Sequence, residues 1–157
     1  MLQESLFIMT NEWSFLVILS IFVFILFLKH RSFDVLELLT SLSLVSLLTL
    51  TLKSIFAISR PVEALFTVQG YAFPSLHAAI AATIGVMLYI LFVRPLHHKT
   101  LRILADLILI IFIFFIGFTR LWFQVHTLTD IIVGYILGIL AGTMAVIFFR
   151  FVHTKGN

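Results

Sequence analysis

Apolar positions fall into five long runs separated by short polar joints: Trp13–Leu28, Val35–Ile58, Ala78–Val93, Ile103–Phe118 and Ile131–Phe149. A helix needs about 20 apolar residues to cross the hydrocarbon core of a bilayer. Several of these runs are slightly short, so flanking residues must complete the span. In lipid the backbone must satisfy its own hydrogen bonds, which selects helices. The pattern predicts an all-α polytopic membrane bundle of about five spans, forming a single domain over residues 1–157. A short interfacial helix is expected at Leu2–Met9. Pro61 and Pro95 close the second and third runs, and the joint PVEALFTVQGYAF, Pro61 to Phe73, is polar enough to lie outside the bilayer.

Composition strengthens this reading. Apolar residues make up 62% of the chain and charged residues 11%, whereas a soluble domain is about 25% charged. The mean hydropathy is +1.21. There is no cysteine, which excludes disulfides, thiolate metal sites and cysteine nucleophiles. The net charge of +3 is dispersed, so nucleic acid is not an expected partner. The opening MLQESLFIMTNEW lacks the positive start of a cleaved signal peptide.

The last run, IIVGYILGILAGTMAVIFF, carries Gly134, Gly138 and Gly142 at intervals of four. Such a stripe lets another helix approach closely. It predicts packing within the chain, with the alanine-rich third run as partner, or a homodimer face.

Charge placement sets the orientation. Five spans put Lys29, Arg31, Arg94, Lys99, Arg102, Arg150 and Lys155 on one side and only Lys53, Arg60 and Arg120 on the other. The positive-inside bias makes the first side cytoplasmic. The N-terminus is then extracytoplasmic and the C-terminus cytoplasmic, as in a bacterial-type cytoplasmic membrane.

The three exceptional cations share their side with His77, His126 and Asp130. Lys53 and Arg60 lie two helical turns apart and are expected on one helix face. Ser75 reads as the N-cap of the third helix, whose free N–H groups make an anion site. Asp130 follows His126 by four residues, the spacing that brings a carboxylate to an imidazole on a helix. Three cations, helix-start N–H groups, two histidines and one carboxylate suit a phosphate. Taken singly, each has a plainer reading: snorkelling cations, a simple cap, a structural His–Asp pair or a metal site. Ionisable groups in spans are usually functional, and here they could converge on one pocket.

The motifs KSIFAISRP at 53–61, PSLH at 74–77 and TRLWFQVHTLTD at 119–130 occur in this order. With them the chain resembles the type 2 phosphatidic acid phosphatase (PAP2) family, relatives of vanadium haloperoxidases. That family shows Lys-x6-Arg-Pro, Pro-Ser-Gly-His and Ser-Arg-x5-His-x3-Asp. The resemblance implies a membrane lipid phosphatase with no cofactor and no metal. It implies His126 as nucleophile, Asp130 as its orienter and His77 as general acid, with Lys53, Arg60, Ser75, Leu76 and Arg120 holding the phosphate. Its expected substrates are a polyprenyl diphosphate, phosphatidate or phosphatidylglycerol phosphate. Two positions depart from the pattern. Thr119 replaces serine and keeps the hydroxyl. Leu76 replaces glycine, keeps its N–H, and resembles some phosphotransferase branches, so a lipid phosphotransferase is the alternative. A transporter or binding protein is a further one, but these groups sit at helix ends rather than mid-bilayer. Membrane members of the family commonly have six spans, so one N-terminal span is expected to be absent or reduced to Leu2–Met9.

Overall fold

The structure, a computed structural model, describes residues 31–155 together with Val17, Ser20, Ile21, 23–25 and Leu28. The expected interfacial helix Leu2–Met9 lies outside the described residues, as does much of the first run. The described positions of that run are helical.

Four long helices follow, and no strand occurs among the described residues: α1 Ser32–Phe56, α2 Leu76–Leu88, α3 Lys99–Trp122 and α4 Leu128–Lys155. A π-helical turn, Tyr89–Val93, continues α2. All four spans, α2 with its π turn, are long and apolar enough to cross a membrane. The helices overrun the apolar runs because polar residues complete their ends. Lys99 and Arg102 open α3, Thr119 and Arg120 close it, and Leu128–Asp130 form the first turn of α4. The π turn closes with Arg94 N–H on the Tyr89 carbonyl at 2.7 Å, immediately before Pro95, which cannot extend a regular helix.

Helix α2 is the centre of the bundle and packs on α1, α3 and α4. Its sequence LHAAIAATIGVML presents small side chains on most faces, and residues 78, 79 and 81–85 are all buried. The glycine stripe of α4 lies against it. A Cβ on Gly134 would meet the Ser75 carbonyl oxygen at 2.5 Å, and one on Gly138 would collide with the carbonyl of Ala79. Of the two uses expected for this stripe, packing within the chain is the one observed; a dimer through it would require α2 to move away. Thr83 Oγ1 ties the seam, donating to the carbonyls of Gly138 (3.1 Å) and Ala79 (3.0 Å). Val45 of α1 packs with Ala79 and Ala141 in the same layer. A second layer, Leu38, Met87, Leu91 and Val146, fills the end of the bundle where α1 begins.

Candidate active site

The site is assembled where α1, α2, α3 and α4 come together at one end, and each side chain is placed by a local feature of the chain. Helix α1 ends at Phe56 because Ala57 turns left-handed (φ 47°) and returns its N–H to the Lys53 carbonyl at 2.9 Å. This corrects the expectation that Lys53 and Arg60 share a helix face. Arg60 lies beyond the helix, on a segment folded back over the bundle. Two contacts hold the 57–75 connection down, Leu65 N–H to Phe123 O at 3.0 Å and Phe66 edge-on to Phe123, and Ala72 N–H to Ile58 O at 2.8 Å closes it on itself. The reversal brings Arg60 to the same cluster as Lys53.

Lys53 Nζ donates to the carbonyls of Tyr71 and, at 3.0 Å, Ala72. Arg60 spreads its fork over three carbonyls, Gly70 (3.2 Å), Gln69 (3.4 Å) and Val125 (3.0 Å), and places Nη1 3.2 Å from His126 Nε2. Gly70, at φ 80°, adopts the backbone conformation that glycine accepts most readily.

His126 precedes α4 and is not on it, so the four-residue spacing to Asp130 works across a helix start. Thr127 caps α4: its Oγ1 accepts from Asp130 N–H at 3.3 Å, and Asp130 Oδ2 accepts from Thr127 N–H at 2.8 Å. This reciprocal pair is a capping box with aspartate in the acidic position. The same Oδ2 lies 3.3 Å from His126 Nδ1. The carboxylate is therefore fixed by the helix start before it orients the imidazole. Thr127 is the residue that sequence reasoning missed, although Thr-x-x-Asp ahead of an apolar run is the usual signal of such a box.

Helix α2 joins the cluster through its first turn. Ser75 is its N-cap, with Oγ accepting from Ala78 N–H at 3.5 Å, and Ser75 N–H donates to the Asp130 carbonyl at 3.0 Å. The starts of α2 and α4 are thus bonded to each other. His77 stands in that first turn with Nε2 shielded from solvent, in electrostatic range of Arg120, His126, Arg60 and Lys53. Leu76 opens the helix beside it.

Arg120 closes α3 and is 3% exposed. Its Nε donates to Thr119 Oγ1 at 3.3 Å, its guanidinium lies 5.5 Å from the Phe123 ring centroid, and Thr119 donates onward to Ile116 O at 2.7 Å. The hydroxyl retained at position 119 is therefore in use. Gln124, at φ 55°, reverses the chain after α3 so that His126 faces back into the bundle.

Burial is the main influence on His126 and pushes its pKa below the ordinary imidazole value. The Asp130 bond opposes this, and the Arg60 and Lys53 charges add to it. A neutral imidazole with Nδ1–H on the carboxylate leaves the Nε2 lone pair directed at Arg60, the arrangement that the two contacts select. Burial also lowers the Arg60 pKa, with Asp130 opposing, but a guanidinium stays charged at any working pH. Beside Arg60 and Asp130 a cavity of about 440 Å³ opens, walled by Ile58, Val62, Phe73 and the Thr127–Thr129 turn. The structure thus gathers Lys53, Arg60, Ser75, Leu76, His77, Arg120, His126 and Asp130 at one end of the bundle. No group of three or more metal-ligating side chains occurs among the described residues.

Residues 34–155 match the PAP2 superfamily. No curated protein matches the sequence significantly. Among solved structures, a transmembrane PAP2-type phosphatidylglycerolphosphate phosphatase from Bacillus subtilis superposes with a TM-score of 0.81 at 23% identity, over 95% of this chain and 75% of that one. LpxE from Aquifex aeolicus superposes with a TM-score of 0.69 at 26% identity, over 92% of this chain and 83% of that one. The family match spans most of the chain, and the fold is that of the membrane phosphatases. The chain belongs to the PAP2 superfamily as an integral-membrane, helical member.

Proposed function

We propose that this protein hydrolyses a lipid phosphate monoester or diphosphate through a phosphohistidine formed on His126. The observation that carries the reading is the two-sided hold on the imidazole: Nδ1 on a carboxylate fixed by a helix cap, Nε2 facing a half-buried cation. Arriving phosphate oxygens would take the Arg60 fork and set the phosphorus before Nε2. Lys53, Arg60, Arg120 and the first N–H groups of α2 stabilise the charge on the transferring phosphoryl group. His77 protonates the leaving oxygen, a contribution of about 10²–10⁴-fold. Asp130 holds the tautomer and stabilises the imidazolium character that develops. Water then attacks the phosphohistidine and releases phosphate. Three fixed cations supply the charge that a metal would otherwise bring, so activity is expected to persist in EDTA.

The substrate carries its phosphate at a membrane face and its tail in the bilayer. The site stands at the end with few basic residues outside the cluster, so the positive-inside bias orients it extracytoplasmically. Polyprenyl diphosphate, phosphatidate and phosphatidylglycerol phosphate are the candidate classes. The solved phosphatidylglycerolphosphate phosphatase of the same fold supports the last of them. Leu76, in place of the family's glycine, favours one second reading, transfer of the phosphoryl group to a lipid acceptor. The test is phosphate release from a panel of lipid phosphates in detergent, wild type beside His126→Ala, with and without an added lipid acceptor. The variant should insert and melt like wild type yet release no phosphate; full activity in it would end the assignment.

A further inference from the structure

At the opposite end of the bundle, Glu37 of α1 is 7% exposed, and its Oε1 is buried with no hydrogen-bond partner among the described residues. It lies sixteen residues before Lys53 on the same helix, about 24 Å away at 1.5 Å per residue. The catalytic chemistry has no use for it. Its neighbour Asp34 is satisfied by an ion pair with Arg31, which also donates to Leu91 O at 3.2 Å and stacks 5.5 Å from the Phe92 centroid. With that pair, Glu37 lines a cavity of about 550 Å³ between the start of α1, the π turn and the end of α4. That volume falls in the range of about 300–1,000 Å³ typical of small-ligand sites.

The lining specifies the ligand. A buried carboxylate oxygen is costly unless a donor, preferably a cationic one, reaches it. Arg150, at the cavity rim, is exposed and close enough for its charge to act on Glu37. Arg31 and Asp34, already paired with each other, complete the charged lining; Phe33, Ile90, Leu91 and Phe149 supply its apolar part, and Phe33 is 65% exposed on the outer surface of a membrane span. A ligand that fits all three features has an ammonium with N–H donors, an anionic group one short linker away and an apolar tail. Basic side chains between transmembrane helices are a recurrent setting for lipid phosphates, and Arg150 supplies one here beside the Glu37 carboxylate.

We propose that this cavity binds a phospholipid carrying a primary amine, with its ammonium on Glu37 and its phosphate at Arg150. The site belongs to the leaflet opposite the catalytic cluster and does not depend on the catalytic reading.

Native mass spectrometry of the full chain released from detergent tests this, with phosphatidylethanolamine, phosphatidylcholine and phosphatidylglycerol of matched acyl chains offered separately. Wild type should retain phosphatidylethanolamine about tenfold over phosphatidylcholine, whose quaternary ammonium has no N–H to donate, and over phosphatidylglycerol, which has no cation; this is the scale of one charged hydrogen bond. Glu37→Gln should erase the preference. Arg150→Ala, at the exposed rim, should weaken retention of phosphatidylethanolamine while the variant still melts cooperatively. His126→Ala should leave the preference intact. Equal retention of phosphatidylcholine and phosphatidylethanolamine would overturn the proposal. So would a preference unchanged in both cavity variants, or one lost in His126→Ala and kept in Glu37→Gln, which would move the lipid to the catalytic end.

Discussion

Helix α2 meets its neighbours in two different ways. Against α4 it packs backbone to backbone, with the carbonyls of Ser75 and Ala79 occupying the space above Gly134 and Gly138. Against α3 it meets side chains: a Cβ on Gly85 would meet Ile113 Cδ1 at 2.5 Å, the far end of a flexible residue. Burial follows the same division. The most apolar stretch of α4 is 39% buried and that of α3 only 11%. His126, the proposed nucleophile, its Asp130 partner and the cap of α2 all sit on the hard seam, where Ser75 N–H bonds the Asp130 carbonyl. Only Arg120 comes from the soft side, and its own last turn and Phe123 hold it. Fixed main-chain distances therefore set the reactive geometry, and α3 has latitude to adjust to lipid.

Breaking the hard seam has the largest expected effect. Gly138→Leu places a branched side chain where the Ala79 carbonyl already sits, and neither backbone can yield without separating α2 from α4. Overpacking ordinarily costs about 1–3 kcal/mol; against main chain on both sides the cost should exceed that range. The variant should fail to yield a cooperatively melting protein in detergent and should release no phosphate.

Asp130→Asn leaves the seam intact and removes only the charge. Asparagine can still accept from Thr127 N–H, so melting should change little, while turnover falls by about 10²-fold or more. A pH–rate profile sharpens this. Burial depresses the His126 pKa, so its imidazole stays neutral below the ordinary value of about 6.5. The acid-side loss of activity should therefore begin only as pH falls through that lowered pKa. The Asp130 bond is the influence that raises the pKa, so its loss must move the acid limb to still lower pH. A limb that moved upward would mean that Asp130 does not act on His126.

Much of this arrangement was legible in the sequence. Apolar runs located the spans, and the small-residue stripe of α4 anticipated the alanine face of α2, because both are properties of a single helix. The constellation was legible as spacing. What escaped was geometry made by irregular backbone. Lys53 and Arg60 look like two turns of one helix until Ala57 turns left-handed between them. His126 and Asp130 look like two positions on a helix until the capping box shows that one precedes it. Buried Glu37 was hidden because its unpaired Oε1 depends on Arg31 pairing with Asp34 rather than with Glu37. Short loops and caps depend on contacts across the bundle, which no periodicity encodes.

Thr127→Ala tests the cap at a smaller scale. Losing an N-cap hydroxyl costs about 1 kcal/mol, so the melting temperature should fall modestly. Asp130 keeps its bond from the main-chain N–H of residue 127, so turnover should fall severalfold, well short of the Asp130→Asn loss. Thr127→Ser should restore both.

Gly85→Ala should have the smallest effect, and it is the counterpart of Gly138→Leu across the same helix. The added methyl meets Ile113 Cδ1, and its next-nearest contact, Ile113 Cγ1, lies at 3.1 Å. A rotation of the isoleucine side chain, which lies on largely lipid-exposed α3, relieves both contacts. Alanine also recovers about 0.5–1 kcal/mol of helix stability that glycine forfeits. The two terms oppose each other, so melting and phosphate release should both stay near wild type. A loss comparable to a seam variant would show that α3 is held as rigidly as α4, and the division between a fixed catalytic seam and an adjustable flank would fail.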